Sequence, residues 1–174
     1  MDIEKLKFPI GKYVVPEEIT TEQLRGWIDE ISALPASLRT VTAGLTNEQL
    51  NTPYRPQGWT VRQVIHHLAD SHMNSYIRFK LAVTEENPTI RPYFEERWAE
   101  CEDAKNGDIE LSLKLIEALH NRWSNFLGSL SLNEWDKTFF HPENQRTIPL
   151  KEVAGLYAWH GKHHLNHILN ALKV

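Results

Sequence analysis

The chain is poor in three things, and each absence narrows what it can be. It has one cysteine, Cys101, so it can form neither an internal disulfide nor a cysteine-rich zinc site. Such usage fits a reducing compartment, and the cytoplasm is the expected location. It has no run of about 18 uncharged apolar residues, which excludes a membrane-spanning helix of normal length. Met1 to Lys7 carries alternating charges with no apolar stretch behind it, so neither a signal peptide nor a membrane anchor is expected. It also lacks an excess of basic charge: 19 Lys and Arg stand against 23 Asp and Glu, a net charge of -4. Nucleic-acid binding needs a clustered basic face that displaces counterions, so no nucleic-acid partner is expected.

What is present is an ordinary folded composition, 41% hydrophobic and 24% charged over 174 residues. This predicts one domain spanning 1–174, large enough to bury a core without covalent or metal staples. Any bound metal is then functional rather than structural.

The first twenty residues mix Pro9, Gly11 and Pro16 with Phe8, Ile10, Tyr13 and Val14 and predict an irregular arm packed over the body. A helix opens at Thr20 and Thr21, continues through Leu24, Trp27, Ile28 and Ile31, and is expected to kink at Pro35 and end near Gly44. Asn51 to Gly58 is a loop. Thr60 with Gln63 is a capping-box pair that starts a second helix running to about Asn87. One or two short turns follow around Phe94, Trp98 and Cys101. Asp108 caps a third helix, whose apolar stripe is read as Leu115, Leu119, Trp123, Phe126 and Leu130. Thr138–Phe140 and Gln145–Ile148 flank a small hairpin or ordered loop, and Pro149 starts a fourth helix that carries almost to the terminus. The expected fold class is all-α, a four-helix bundle with that hairpin before its last helix.

Nine histidines are many for this length, and their placement carries the chemistry. In the fourth helix Leu150, Val153, Tyr157, Gly161 and Ile168 mark the buried stripe, and His164 lies within it. His160 sits one turn earlier, roughly 40° around the axis and about 6 Å along it, so the two imidazoles can converge on one ion. His163 and His167 are expected to aim more toward solvent and rank as the second pair. A third ligand must come from the second helix, where Val61, Val64, Leu68, Ser75 and Phe79 define the stripe. His66 projects toward water on this count, while periodicity does not decide between His67 and His72.

Neutral imidazoles are common zinc ligands, and three protein ligands leave a coordination position for water or another exogenous ligand. The retained charge of the ion activates a bound water or stabilises a thiolate. Asp70, three residues after His67, is a candidate catalytic residue that could orient an imidazole or accept a proton. The alternative reading is that these are core and surface histidines that never meet. Trp59 and Tyr54 are candidates to line a pocket mouth, and Arg55 and Arg78 to bind an anionic substrate group. Trp27, Trp98, Trp123, Trp135 and Tyr157 are read as core or dimer contacts. Cys101 is read as a small buried hydrophobe rather than a nucleophile.

The stretch Tyr54-Arg55 and Gly58-Trp59-Thr60-Val61-Arg62, leading into His66 to Asn74 and then Ser75 to Lys80, resembles the DinB/YfiT-like metalloproteins, specifically their YfiT branch of metal-dependent hydrolases. The closing pattern Gly155, Leu156, Tyr157, Trp159 and His160 followed by His163, His164 and His167 resembles the same family, and the likeness covers nearly the whole chain. It implies a four-helix bundle of up-down-down-up type, a homodimer, and a divalent metal, zinc with nickel as another choice, held by His67, His160 and His164. Gly161 and Lys162 depart from the Ser and His of the nearest relatives and suggest a changed polarity at the metal rim. The resemblance implies a hydrolase acting on a small electrophilic substrate, or a thiol S-transferase with bacillithiol as co-substrate. A non-catalytic metal-binding protein is the third reading.

Overall fold

The structure is a computed structural model and describes residues 3–173. Its elements in chain order are α1 (Ile3–Lys7), α2 (Thr21–Thr42), α3 (Asn47–Leu50), α4 (Val61–Thr84), α5 (Glu95–Trp98), α6 (Glu102–Asn106), α7 (Ile109–Ser129), α8 (Leu132–Trp135), β1 (Thr138–His141), β2 (Arg146–Pro149) and α9 (Leu150–Ala171). The four long helices α2, α4, α7 and α9 form the bundle. The strands pair antiparallel, with Thr138 opposite Pro149. Among the described residues no helix is long and apolar enough to cross a membrane.

Contacts between helices fix their directions. Ile31 meets His120 while Arg39 meets Glu110, so α2 and α7 run antiparallel. His67 meets His160 while Ser71 meets Tyr157, so α4 and α9 do too. His66 meets Ser112, and His72 meets His120, so α4 and α7 run parallel. Trp27 lies against Gly155 and Leu34 against Gly161, which makes α2 and α9 parallel. The order is therefore up, down, down, up, as the family resemblance implied. The consecutive parallel helices α4 and α7 require a long return, and the segment 85–108 supplies it.

Each long helix starts where the chain offers a donor-satisfying cap. Thr20 and Thr60 make complete capping boxes with Gln23 and Gln63, and Asp108 accepts from the backbone of Glu110. α2 passes unbroken through Pro35 and stops at Thr42, just before Gly44 takes a left-handed φ of 72°. α4 ends at Thr84, short of the expected Asn87. That asparagine adopts φ 42° ahead of Pro88, a conformation Asn tolerates and a continuing helix does not allow. The sequence reading missed α1, α3 and α8. The last two carry their own boxes, Thr46 with Gln49 and Ser131 with Glu134, so the signal was present.

The stripe of α7 also differs from the expected one. Its buried residues are Leu113, Ile116, Leu119, His120, Trp123 and Leu127, whereas Leu115 is 41% exposed. Two stripes share Leu119 and Trp123, and the one containing His120 faces the bundle. Cys101 is exposed, at the start of α6, because the short α5–α6 segment packs on the outside of α4. Trp98 is also partly exposed.

The apolar interior has two parts. Ile31, Phe79, Trp123, Leu127, Trp135, Leu150 and Val153 fill one end of the bundle. Leu34, Leu38, Val64, Ile65, Leu68, Leu113, Ile116 and Ile168 fill the other. His72 of α4, His120 of α7 and the histidines of α9 fall between them. Replacing Thr60 with Ala removes the cap of the helix that carries His67 and is expected to cost about 1 kcal/mol, with Thr60→Ser close to wild type. Urea denaturation of the three proteins measures this.

Candidate metal centre

α4 and α9 run antiparallel in direct contact, so the N-terminal part of α4 faces the middle of α9. His67 comes from the second turn of α4, and His160 and His164 from adjacent turns of α9. One ring nitrogen from each lies within 4.8 Å of the others. His67 Nε2 is 3.3 Å from His160 Nε2. A tetrahedral zinc with bonds of about 2.0 to 2.1 Å sets its ligands roughly 3.3 to 3.4 Å apart, so the donor set fits such an ion.

These rings are neutral. Burial pushes His67 down to about 4, with His163 and His167 adding to the effect. Burial likewise holds His160 and His164 well below the ordinary histidine value. Metal binding requires the unprotonated ring, so burial prepares the ligands at neutral pH.

The three rings line an open cavity of about 570 Å³, together with His163 and His167. Trp59 packs on His67 with ring centroids 4.7 Å apart and lies nearly parallel to His164 at 6.5 Å. Tyr54 stacks on His167 at 3.9 Å. Trp59, Tyr54 and Arg55 all line this cavity, together with Lys7, Glu95 and Glu96. Arg78 lines a neighbouring cavity of about 380 Å³ with Tyr93, His141 and Tyr157 instead. Asp70 lines neither, and its carboxyl is raised to about 6 by burial and by nearby Asp103.

Several sequence expectations are corrected by the packing. His163 and His167 do not aim at solvent; they are 6% and 2% exposed. The N-terminal arm covers that face, with Phe8 against His163 and the Lys7 carbonyl accepting from His167 Nε2 at 3.1 Å. Together with His164 they form a second histidine group of metal-ligating dimensions. His66, expected in water, is buried against α7, where its Nδ1 meets Ser112 Oγ at 2.7 Å. Gly161 faces Leu34 and Lys162 pairs with Glu30 at 2.6 Å, so neither residue alters the rim. His72 is not among the three converging rings, but its Nε2 lies 3.1 Å from His160 Nδ1. The sequence reading passed over His120, which stacks on His72 at 4.9 Å. Its place in the 113, 116, 120, 123, 127 stripe was the available signal.

Comparison with known proteins agrees with this architecture. The chain is 54% identical over 168 residues to a Bacillus cereus protein named "Putative metal-dependent hydrolase", covering 97% of this chain and 96% of that one. It is 56% identical over 167 residues to a protein of the same description from Oceanobacillus iheyensis, covering 96% of each. Among solved structures it matches Bacillus subtilis YfiT with a TM-score of 0.95 and 48% identity over 97% of both chains. That protein is described as "a probable metal-dependent hydrolase with an unusual four-helix bundle topology". Residues 30–168 match the sequence model of the DinB superfamily, and the chain belongs to that superfamily.

Proposed function

We propose that the chain is a metal-dependent hydrolase in which His67, His160 and His164 hold one divalent ion, most suitably zinc, in the wall of the 570 Å³ cavity. The observation that carries this reading is the meeting of three neutral imidazoles from two rigid helices beside an open cavity. The names of the relatives support it. When bound, an ion with three protein ligands supplies Lewis acidity at its remaining coordination position.

The chain's own groups do the rest. Trp59 covers the rings of His67 and His164 and keeps bulk water from approaching them across that face. Lys7 and Arg55 offer positive charge along the cavity, while Glu95 and Glu96 offer negative charge, which suits a small polar substrate. Asp70 is given no role as proton acceptor, since it lies outside the cavity lining.

Elemental analysis of purified protein is expected to find about one divalent ion per chain, and near zero in His67→Ala, His160→Ala and His164→Ala. Retention of a full complement by all three variants would remove these residues as ligands.

The activity itself is tested with zinc-loaded protein on a panel of esters, amides and phosphoesters, and separately with a low-molecular-weight thiol plus an electrophile. Cleavage that a chelator abolishes and zinc restores is the expected result. Conjugation of the thiol without any cleavage would replace the hydrolase reading with an S-transferase. Neither reaction, in protein that holds its ion, would leave a non-catalytic metal-binding protein.

A pH dependence follows from the buried rings. His67 and His120 are both lowered to about 4, against an ordinary value near 6.5. Between those values the unfolded chain takes up protons that the native chain refuses. Their stabilising contribution is therefore complete above about pH 6.5 and is lost as the pH falls toward 4, at up to about 1.4 kcal/mol per pH unit for each proton. Urea midpoints of metal-free protein should drop steadily across that window; a flat profile would contradict neutral burial of these rings.

A further inference from the structure

Two hydrogen-bonded chains of imidazoles lead away from the three converging rings, and each ends on a backbone carbonyl. A carbonyl can only accept, so the direction of every bond in each chain is determined once the rings are neutral. On one side His120 Nδ1 lies 2.6 Å from the Ile31 carbonyl and must carry its proton there. His120 Nε2 is then an acceptor, and His72 Nδ1, 2.9 Å away, donates to it. His72 Nε2 is left as an acceptor for His160 Nδ1 at 3.1 Å. The lone pair of His160 is thereby confined to Nε2, the atom that faces His67.

On the other side His167 Nε2 lies 3.1 Å from the Lys7 carbonyl and donates to it. His167 Nδ1 is an acceptor, and His164 Nδ1 approaches it at 3.3 Å. The same logic confines the lone pair of His164 to Nε2.

We propose that His72, His120 and His167 are positioning residues: two imidazole relays, anchored on the carbonyls of Ile31 and Lys7, lock the Nδ1–H tautomers of His160 and His164 and aim both Nε2 lone pairs at one ion. This rests on the reading of those two histidines and His67 as ligands. The role is a demanding one, because a histidine in water favours the Nε2–H form, whose lone pair would point away from the ion. Metal-ligating histidines commonly fix their second nitrogen on a carboxylate or carbonyl. Here the carbonyls on which the two runs end belong to helix α2 and to the N-terminal arm, and intervening imidazoles bridge the gap.

The competing arrangement is a second ion on His163, His164 and His167, whose ligating atoms also lie within 4.8 Å of one another. His163 Nδ1 is buried without a hydrogen-bond partner. That arrangement would require the His164 ring to lose both protons and bridge two cations.

Long-range imidazole 15N–1H correlation spectra of metal-free wild type decide the matter without any activity assay. The expected pattern is Nδ1–H for His72, His120, His160 and His164, and Nε2–H for His167. Finding the proton of His160 or His164 on Nε2 overturns the proposal. Zinc affinity, measured by competition with a chromophoric chelator, provides the second reading. His72→Leu should weaken zinc binding about 10- to 100-fold. His72→Gln, which keeps an acceptor for His160 and a donor for His120, should recover all but a few-fold of it. Equal affinity in wild type and His72→Leu, or two zinc ions per wild-type chain, counts against the relays. Predicted tautomers in a protein that takes up no ion would defeat the metal reading alone; wrong tautomers in a protein that binds one ion would defeat the relays alone.

Discussion

A layer of neutral imidazoles crosses the middle of an apolar core, and every polar nitrogen in it that does not face the cavity needs a partner. Burying an unpaired polar group costs on the order of 1 to 3 kcal/mol, so such a layer survives inside a bundle only if its bonds are made. Here the bonds form in series. Ile31, His120, His72 and His160 come from α2, α7, α4 and α9, so a single run of hydrogen bonds ties all four long helices together. The apolar clusters above and below exclude water from this run, and exclusion of water is what keeps the rings neutral. The proposed ligands and the packing thus depend on one condition.

The topology serves the same layer. α4 and α9 are antiparallel neighbours, so His67 meets His160 and His164, while the chain between them supplies α7 and α2 precedes both. With α7 packed against both α4 and α2, His72 and His120 face inward and meet. The N-terminal arm closes the one flank the bundle leaves open. Tyr13 donates to the Glu152 carbonyl at 3.2 Å and Trp159 to the Gly11 carbonyl at 3.2 Å, which fixes the arm along α9 and sets the Lys7 carbonyl over His167.

How much of this could be read from sequence follows from what periodicity measures. It reports which face of a helix meets the bundle, and that was enough for the four long helices, their caps and the convergence of His160 with His164. It does not report what covers the opposite face. His66 and His163 lie on faces that a helical wheel assigns to water, yet Ser112 in α7 and Phe8 in the arm cover them. The tie between His67 and His72 has a related origin. Both point inward and both lie within bonding distance of His160, one at Nε2 and the other at Nδ1. An angle around the helix cannot separate the two sides of one ring; family resemblance favoured His67, and the distances now give His72 a distinct partner. His120 was legible in the stripe that also holds Trp123, but a competing stripe through Leu115 looked equally regular.

The division of labour between bundle and periphery bears on specificity. The three converging histidines stand on long helices whose other faces are packed. The remaining cavity residues come mainly from elsewhere: Lys7 and Phe8 from the arm, Tyr54, Arg55 and Trp59 from the loop before α4, Glu95 and Glu96 from α5. Substitutions at Glu95 or Glu96 change the charge presented to a substrate without touching a ring in the core, whereas Tyr54 and Trp59 lie directly against His167, His67 and His164. The arm also has two roles, since it contributes both to the rim and, through the Lys7 carbonyl, to the hydrogen bond on His167. A change that displaces the arm would therefore act on the substrate cavity and on the orientation of His164 together, and a change at Tyr54 or Trp59 would reach the rings of His167, His67 and His164 that they touch, whereas a change in α5 would act on the cavity alone.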